Sequence, residues 1–356
     1  MLTTILVFAG ILLVLVLVHE FGHFFAARKT GMVVEEFGFG FPPKIASIKR
    51  GGTKYSFNAL PLGGFVKIQG ENGDDERPGS FSSKSIPKRL SVLAAGVLMN
   101  FVLAWVLLSA VLMMGAPQVV GADSNGQTDN SRVVIGDVLP DSPASSAGIE
   151  PGDVVYKIDG EEVKGVQTVQ DLTRAKAGSE TVYEIKRNGD NLTFKLTPRV
   201  DPPAGQGAVG VALLEVADVS YPWYQAIWKG LVLTWDYTVA TLTAFGRIIG
   251  QLVTPAPVTA DLAGPIGIAV MTGQFVKMGI AALLQFAAVL SINLAIINAL
   301  PIPALDGGRM AFVGIEAIRG RRVRAKVEQW SHAVGFALLL ALMILVTVRD
   351  IVGLFS

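Results

Sequence analysis

The sequence predicts an α-helical polytopic membrane protein, with four transmembrane helices, a β-hairpin region on the cytoplasmic side and an inserted α+β domain. Three observations predict this. The chain has 356 residues, of which 51% are hydrophobic and 17% charged, and a mean hydropathy of +0.49. That is too apolar for a soluble domain and too long for one span. Apolar runs of about 20 residues, the length that crosses a bilayer core, recur at roughly 3–27, 90–115, 279–300 and 331–352. Lys and Arg are concentrated between these runs, in 28–89 and 309–326.

The first run reads as a retained span rather than a cleaved leader. It is long, no Lys or Arg precedes it, and no small-x-small site comes before Arg28-Lys29. By the positive-inside rule both basic regions face the cytoplasm, which places the N-terminus, residues 116–278 and the C-terminus outside. The stretch 224–252 is apolar but carries Lys229, Asp236 and Arg247 among Trp223, Tyr224, Trp228, Trp235 and Tyr237. Aromatics with scattered charges suit a helix lying in the interface. A crossing there would also put the basic segment 319–326 outside. The expected organisation is a first membrane half at 1–115, an outer domain at 120–215, an interfacial helix and loop at 220–278, and a second membrane half at 279–356.

Within the first half, residues 33–70 alternate apolar with polar or small residues around Gly51-Gly52 and Pro61-Leu62-Gly63-Gly64, a hairpin pattern. This region is either a connecting loop or an edge strand able to pair with an extended peptide.

The chemistry is concentrated in His19-Glu20-Phe21-Gly22-His23, inside the first span. Positions four apart share a helix face, so His19 and His23 can offer two imidazoles to one metal ion, with Glu20 as general base. Ionisable groups are expensive in lipid and usually functional there. The chain has no cysteine and three histidines, so a metal would be held by His, Asp or Glu, and a three-His site would need His332. A net charge of +1 gives no case for nucleic acid.

A second motif, Pro301-Ile302-Pro303-Ala304-Leu305-Asp306-Gly307-Gly308, follows the third apolar run. Its prolines break the helix, and non-helical backbone at membrane depth is tolerated where it is buried or lines a wet cavity. Asp306 is the expected third ligand, leaving one position open. At 1.5 Å per residue His19 lies roughly 24 Å along its span, near the cytoplasmic side of a core about 30 Å thick. Asp306 reaches a similar depth only if 224–252 does not cross.

The outer region 120–215 carries Ser142-Pro143-Ala144-Ser145-Ser146-Ala147-Gly148-Ile149, then Pro151-Gly152-Asp153-Val154-Val155-Tyr156-Lys157-Ile158-Asp159-Gly160. A strand at 133–138, a helix near 167–176 and strands near 180–187 and 191–198 complete it. This resembles a circularly permuted bacterial PDZ domain, with Gly207-Ala208-Val209-Gly210-Val211 similar to its carboxylate-loop strand. PDZ domains take peptide ends by strand addition; the bland reading is a spacer that blocks access.

HEFGH, FGFGFPPK, ALPLGGFVK, GVLMNF, the PDZ-like module, AGPIGI and NALPIPALDGG occur in one order over nearly the whole chain. Together they resemble the site-2 protease family of intramembrane zinc metalloproteases, of the bacterial regulator-of-sigma-E type. The resemblance implies one Zn²⁺ on His19, His23 and Asp306, and Glu20 as general base. It implies substrate handling by Asn293 and Asn298, and a substrate-pairing strand around Gly63-Gly64-Phe65-Val66. An interhelical hydrogen bond is the alternative for Asn298. Relatives with two PDZ domains cleave an anti-sigma factor; this chain carries one. The expected function is therefore intramembrane cleavage of single-span membrane proteins, such as anti-sigma factors or signal-peptide remnants, after a prior extracytoplasmic cut. The expected location is the bacterial inner membrane. A non-catalytic receptor with a structural metal, or a metal transporter, are the competing classes.

Overall fold

The computed structural model describes residues 2–71, 75, 77–119, 127–187, 189–203, 206–253 and 264–355. Residues 120–126 of the expected outer domain and 254–263 of the expected loop lie outside these. The elements run α1 (Leu2–Lys29), β1 (Val34–Arg50), β2 (Thr53–Ile68), α2 (Ile86–Met114), β3 (Ala116–Val119), β4 (Gln127–Val138), α3 (Pro143–Ala147), β5 (Val154–Ile158), β6 (Glu161–Glu162), α4 (Val166–Ala175), β7 (Thr181–Arg187), β8 (Asp190–Leu196), β9 (Val211–Ser220), α5 (Trp223–Val253), α6 (Pro265–Met278), α7 (Ile280–Ala299), α8 (Asp306–Arg319) and α9 (Ala325–Phe355). They form two compact units, Met1–Val111 with Tyr224–Ser356, and Leu112–Trp223.

In the first unit, four helices among the described residues are long and apolar enough to cross a membrane: Leu2–Lys29, Ile86–Met114, Ile280–Ala299 and Ala325–Val352. These are the four expected spans. Their outward side chains, such as Leu6 on α1 and Phe336, Leu338 and Leu345 on α9, are exposed, as lipid requires of a helix that satisfies its own backbone. Inside the unit, Ala104 and Leu108 of α2 pack on Ala288, Ile292 and Ile296 of α7, with Leu233, Tyr237 and Phe245 of α5 against them. α5 is not among the four. It binds its neighbours through one face: Trp105 Nε1 donates to Ile227 O (2.8 Å) and Gln285 Nε2 to Tyr237 Oη (2.6 Å). Trp223, Trp228 and Trp235 stay exposed.

The stretch expected as loop after α5 contains a further helix, α6. Gly264 and Gly267 donate their backbone N–H groups to the Asp350 carboxylate at 3.1 and 2.7 Å, and Pro265 takes the first turn, where its missing N–H costs nothing. Local sequence has the Gly-Pro start but not the distant carboxylate that fixes it.

The hairpin is more elaborate than a two-stranded ribbon. β1 pairs with β2 twice, Phe37 with both Tyr55 and Val66, and Gly38 with both Ser56 and Phe65. Lys44–Arg50 returns along Asn58–Thr53. The turn expected at 61–64 lies within β2: residues 54–57 run alongside 36–39 in the same direction and 64–67 in the opposite one, so the chain reverses between Phe57 and Gly64, with Gly63 at φ 111°. Two long strands thus fold into a four-segment sheet whose order leaves Gly64–Ile68 at one edge, with a strand on one side only among the described residues. An ion pair between Glu71, just past β2, and Arg309 of α8 ties this edge to the helix that begins with Asp306. Buried Arg89 joins α2 to Glu316 of α8 at 2.7 Å.

The second unit is an antiparallel sheet in the order β3-β9-β4-β5-β7-β8, with β6 beside β5, and α3 and α4. It extends beyond the expected 120–215, because β3 and the end of β9 pair with each other (Ala116 to Val219). α3 starts as its sequence dictates, with Ser142 Oγ accepting from Ser145 N at 3.1 Å and Pro143 in the first turn, and ends on Gly148 at φ 83°. The core holds Val133, Ile135, Val155, Ile158, Val169, Tyr183 and Ile185. Of the Gly207–Val211 segment, which resembles a PDZ carboxylate-loop strand, Gly207–Gly210 is a loop and β9 begins at Val211, after Gly210 at φ 78°. Between α4 and this loop lies a cavity of about 580 Å³, lined by Val169, Thr173, Tyr183, Val209 and Leu213.

Asp153 is the charged centre of this unit. It is 1% exposed, accepts from Arg187 Nε and Nη2 at 2.7 and 2.8 Å, and takes the Glu150 amide at 2.9 Å. Burial pushes its carboxyl up, but the guanidinium and the amide outweigh this and hold it below the usual range. A carboxylate whose folded pKa lies below its unfolded value of about 3.9 stabilises the fold above that pH and loses the contribution as pH falls. Arg187→Ala should therefore destabilise the unit at neutral pH, and the penalty should shrink below about pH 4. Hydrogen exchange at β5 in the full-length protein, followed against pH, checks both.

Candidate metal centre

His19, Glu20 and His23 lie on α1, and the helix meets α2 closely enough to bury both imidazoles, at 7% and 8% exposure. Gly22 and Gly96 permit this approach. A Cβ on Gly22 would stand 2.4 Å from Ala95 O, and one on Gly96 would stand 2.3 Å from His23 Nε2 and 2.9 Å from His19 Cε1. Gly96→Ala should therefore displace both rings and weaken zinc binding by about 10- to 100-fold. Chelator competition on the purified protein measures it.

Asp306 is brought in by the break after α7. The chain leaves the helix at Leu300, passes Pro301 and Pro303, and turns through Ala304 at φ 85° into the first turn of α8. Gly307 and Gly308 are needed because α8 starts against its own approach loop: Cβ atoms there would lie 2.1 Å from Leu300 O and 2.3 Å from Ile302 O. His332 is not beside the other two histidines. Its Nδ1 accepts the Ala304 N–H at 2.7 Å, so the third histidine fixes the loop that delivers Asp306.

The three expected ligand side chains converge. Asp306 Oδ2 lies 3.0 Å from His19 Nε2 and 3.2 Å from His23 Nε2, and the two Nε2 atoms are 3.2 Å apart. Tetrahedral zinc, with bonds of about 2.0–2.2 Å, spaces its ligand atoms by roughly 3.3 Å, so this triangle fits one face of such a site. The chemistry of the donors fits as well. His23 Nδ1 lies 2.9 Å from Val92 O and so must donate to it, which leaves Nε2 as a lone pair. Asp306 Oδ2 is a buried acceptor without a hydrogen-bond donor. Among the described residues no other His, Asp or Glu joins the group. Three protein ligands with a fourth position free is the pattern of catalytic rather than structural zinc.

Glu20 points to the sheet edge. A Cβ on Gly64 would be 3.5 Å from Glu20 Cγ. Of the residues expected to handle substrate, Gly64 is thus beside the general-base candidate, with Gly63 at the preceding bend. The Phe65 ring instead covers Gly38 on its own sheet. Asn293 and Asn298 lie on α7 about 140° apart around the axis at 3.6 residues per turn, so they do not share a face. Asn298 is on the stripe of Ser291, whose Oγ donates to Asn100 O of α2 at 2.8 Å; Asn293 is off it. Reading the sequence residue by residue misses the roles of Gly96 and Asn100. Both lie in GVLMNF, whose place in the motif order says nothing of a role.

Comparison with known proteins gives the family. Residues 7–342 match the profile of peptidase family M50. The chain is 36% identical over 339 residues to a Clostridium perfringens protein whose name places it among zinc metalloproteases, covering 95% of each. It is 30% identical over 417 residues to the zinc metalloprotease RasP of Geobacillus kaustophilus, covering 95% of each. To the regulator of sigma-W protease RasP of Bacillus subtilis it is 30% identical over 434 residues, covering 99% of each. Among solved structures, the PDZ domain of an SdrC-like protein of Listeria innocua aligns with 23% of this chain and 92% of its own, at 22% identity and a TM-score of 0.21.

Proposed function

The chain belongs to peptidase family M50 and is a zinc metalloprotease of the membrane; from that premise we propose that it cleaves the transmembrane segments of single-span proteins after a prior extracytoplasmic cut, using His19, His23 and Asp306 as zinc ligands and Glu20 as general base. The observation that carries the proposal is the ligand triangle, with Glu20 next to His19 on α1 and its Cγ 3.5 Å from where a Cβ on Gly64, at the sheet edge, would stand.

Zinc, when bound, supplies Lewis acidity toward water and toward the scissile carbonyl. The rest falls to the chain. A substrate helix satisfies its own amides, so it must unwind before hydrolysis, and the freed N–H and C=O groups need partners that lipid lacks. The Gly64–Ile68 edge offers them by strand addition, and the absence of a side chain at Gly64 lets an added strand pass beside Glu20. Glu20 takes a proton from the attacking water and returns it to the departing amine, so that one water and one peptide bond become a carboxylate and an amine. Asn298, on the α7 stripe that carries Ser291, is the better placed asparagine for the peptide backbone.

The proposed topology sets the N- and C-termini and the second unit outside the bacterial cytoplasmic membrane, with the metal centre toward the cytoplasmic side. Charge bias supports it. So does the meeting of His19 with Asp306, because α1 and α7 then end on the same side and the chain between α2 and α7 makes no net crossing. The exposed tryptophans of α5 fit a helix in the interface. The second unit then acts as a size filter or a PDZ-like sensor of peptide tails, with the cavity beside α4 as the receiving groove.

The test is cleavage in proteoliposomes of a single-span substrate with a long or a truncated outer part. Cleavage of the truncated form alone, lost on zinc chelation, is expected; equal cleavage of both, or cleavage that survives chelation, contradicts the reading.

A further inference from the structure

We propose that Asn100 is a positioning residue for His19, holding its imidazole with the proton on Nδ1 so that Nε2 presents a lone pair to the metal. The proposal rests on the reading of His19 as a ligand. Asn100 is fully buried, and its side-chain amide meets His19 Nδ1 at 3.2 Å. The contact is drawn through Nδ2, while Oδ1 is buried with no hydrogen-bond partner. The two ends of an amide have the same size, so the surrounding network decides which end faces which neighbour. If Nδ2 donated to Nδ1, the His19 proton would sit on Nε2. That atom faces His23 Nε2 at 3.2 Å and Asp306 Oδ2 at 3.0 Å, where a metal ligand must be bare. With the amide turned, Oδ1 accepts the Nδ1–H, Nδ2 takes the place Oδ1 holds now, and Nε2 is free to ligate; the bare Nε2 that a metal needs decides the orientation.

The placement on α2 argues the same way. Val92, Gly96 and Asn100 recur every four residues and form one stripe. Val92 offers its carbonyl to His23 Nδ1, Gly96 makes room for both rings, and Asn100 meets His19. One helix thus supplies an acceptor to each imidazole, the usual way a ligand histidine is held in one tautomer.

Purified full-length protein tests this by chelator competition for zinc. Asn100→Leu, which fills similar space without an acceptor, should weaken zinc binding by about 10- to 100-fold. Asn100→Asp, which can only accept, should keep affinity within about threefold of wild type. Wild-type affinity in Asn100→Leu, or a loss in Asn100→Asp equal to that in the leucine variant, overturns the assignment. Histidine ¹⁵N spectra of zinc-loaded wild type decide the tautomer with no substitution: metal at Nε2 and proton at Nδ1 of His19 is expected, and metal at Nδ1 overturns it. Asp306→Asn, run alongside, separates the two readings. If it binds zinc like wild type, the ligand set has failed; if it loses zinc while Asn100→Leu does not, only the role of Asn100 has.

Discussion

Glu20→Gln should lower cleavage by about 10²- to 10⁴-fold, the range a positioned general base supplies, while the protein keeps its zinc. The substitution is nearly isosteric. Glu20 is not one of the three converging ligand atoms, so removing its charge leaves the metal donors intact. What disappears is the ability to take a proton from water. Zinc content by atomic absorption and cleavage of a single-span substrate, measured on the same preparation, give the two halves of the result. Full activity would remove Glu20 from the mechanism, and parallel loss of zinc would make it a structural group.

Asp306→Asn should separate the two readouts differently, losing zinc and activity together. The change removes the charged donor of the triangle and leaves two imidazoles, and loss of about 10- to 100-fold in affinity is the least expected, since outer partners alone cost that much. The fold around it should survive. α8 keeps its start because Gly308 N and Arg309 N bond Leu305 O, and the approach loop keeps the His332 contact to Ala304. Arg309 still pairs with Glu71. Chelator competition with cleavage checks the pairing of effects; zinc retained at wild-type affinity would make Asp306 a turn residue.

The sequence carried the four spans and the two motifs because each depends on local pattern. A run of about 20 apolar residues is unambiguous, and the spacing of His19 and His23 states its own geometry on a helix. Asp306 was legible through depth, since a common position across the membrane needs only residue counting. What was hidden depends on distant contacts. The second pairing of β1 arises because Phe37 and Gly38 find partners on both sides, and alternation cannot say how many neighbours a strand has. α6 is fixed by Asp350, more than eighty residues away. His332 looked like a spare ligand, and only the backbone at Ala304 reveals its partner. The likeness of Gly207–Val211 to a PDZ carboxylate-loop strand does not say where the loop ends; Gly210 at φ 78° keeps all but the last of these residues out of β9.

The location of the cut tests the central claim most directly. Mass spectrometry of the products from a truncated single-span substrate in proteoliposomes should find new termini inside the transmembrane segment, in its cytoplasmic half, and none with Glu20→Gln protein. Termini confined to the soluble flanks, or the same termini from the Glu20→Gln protein, would contradict it.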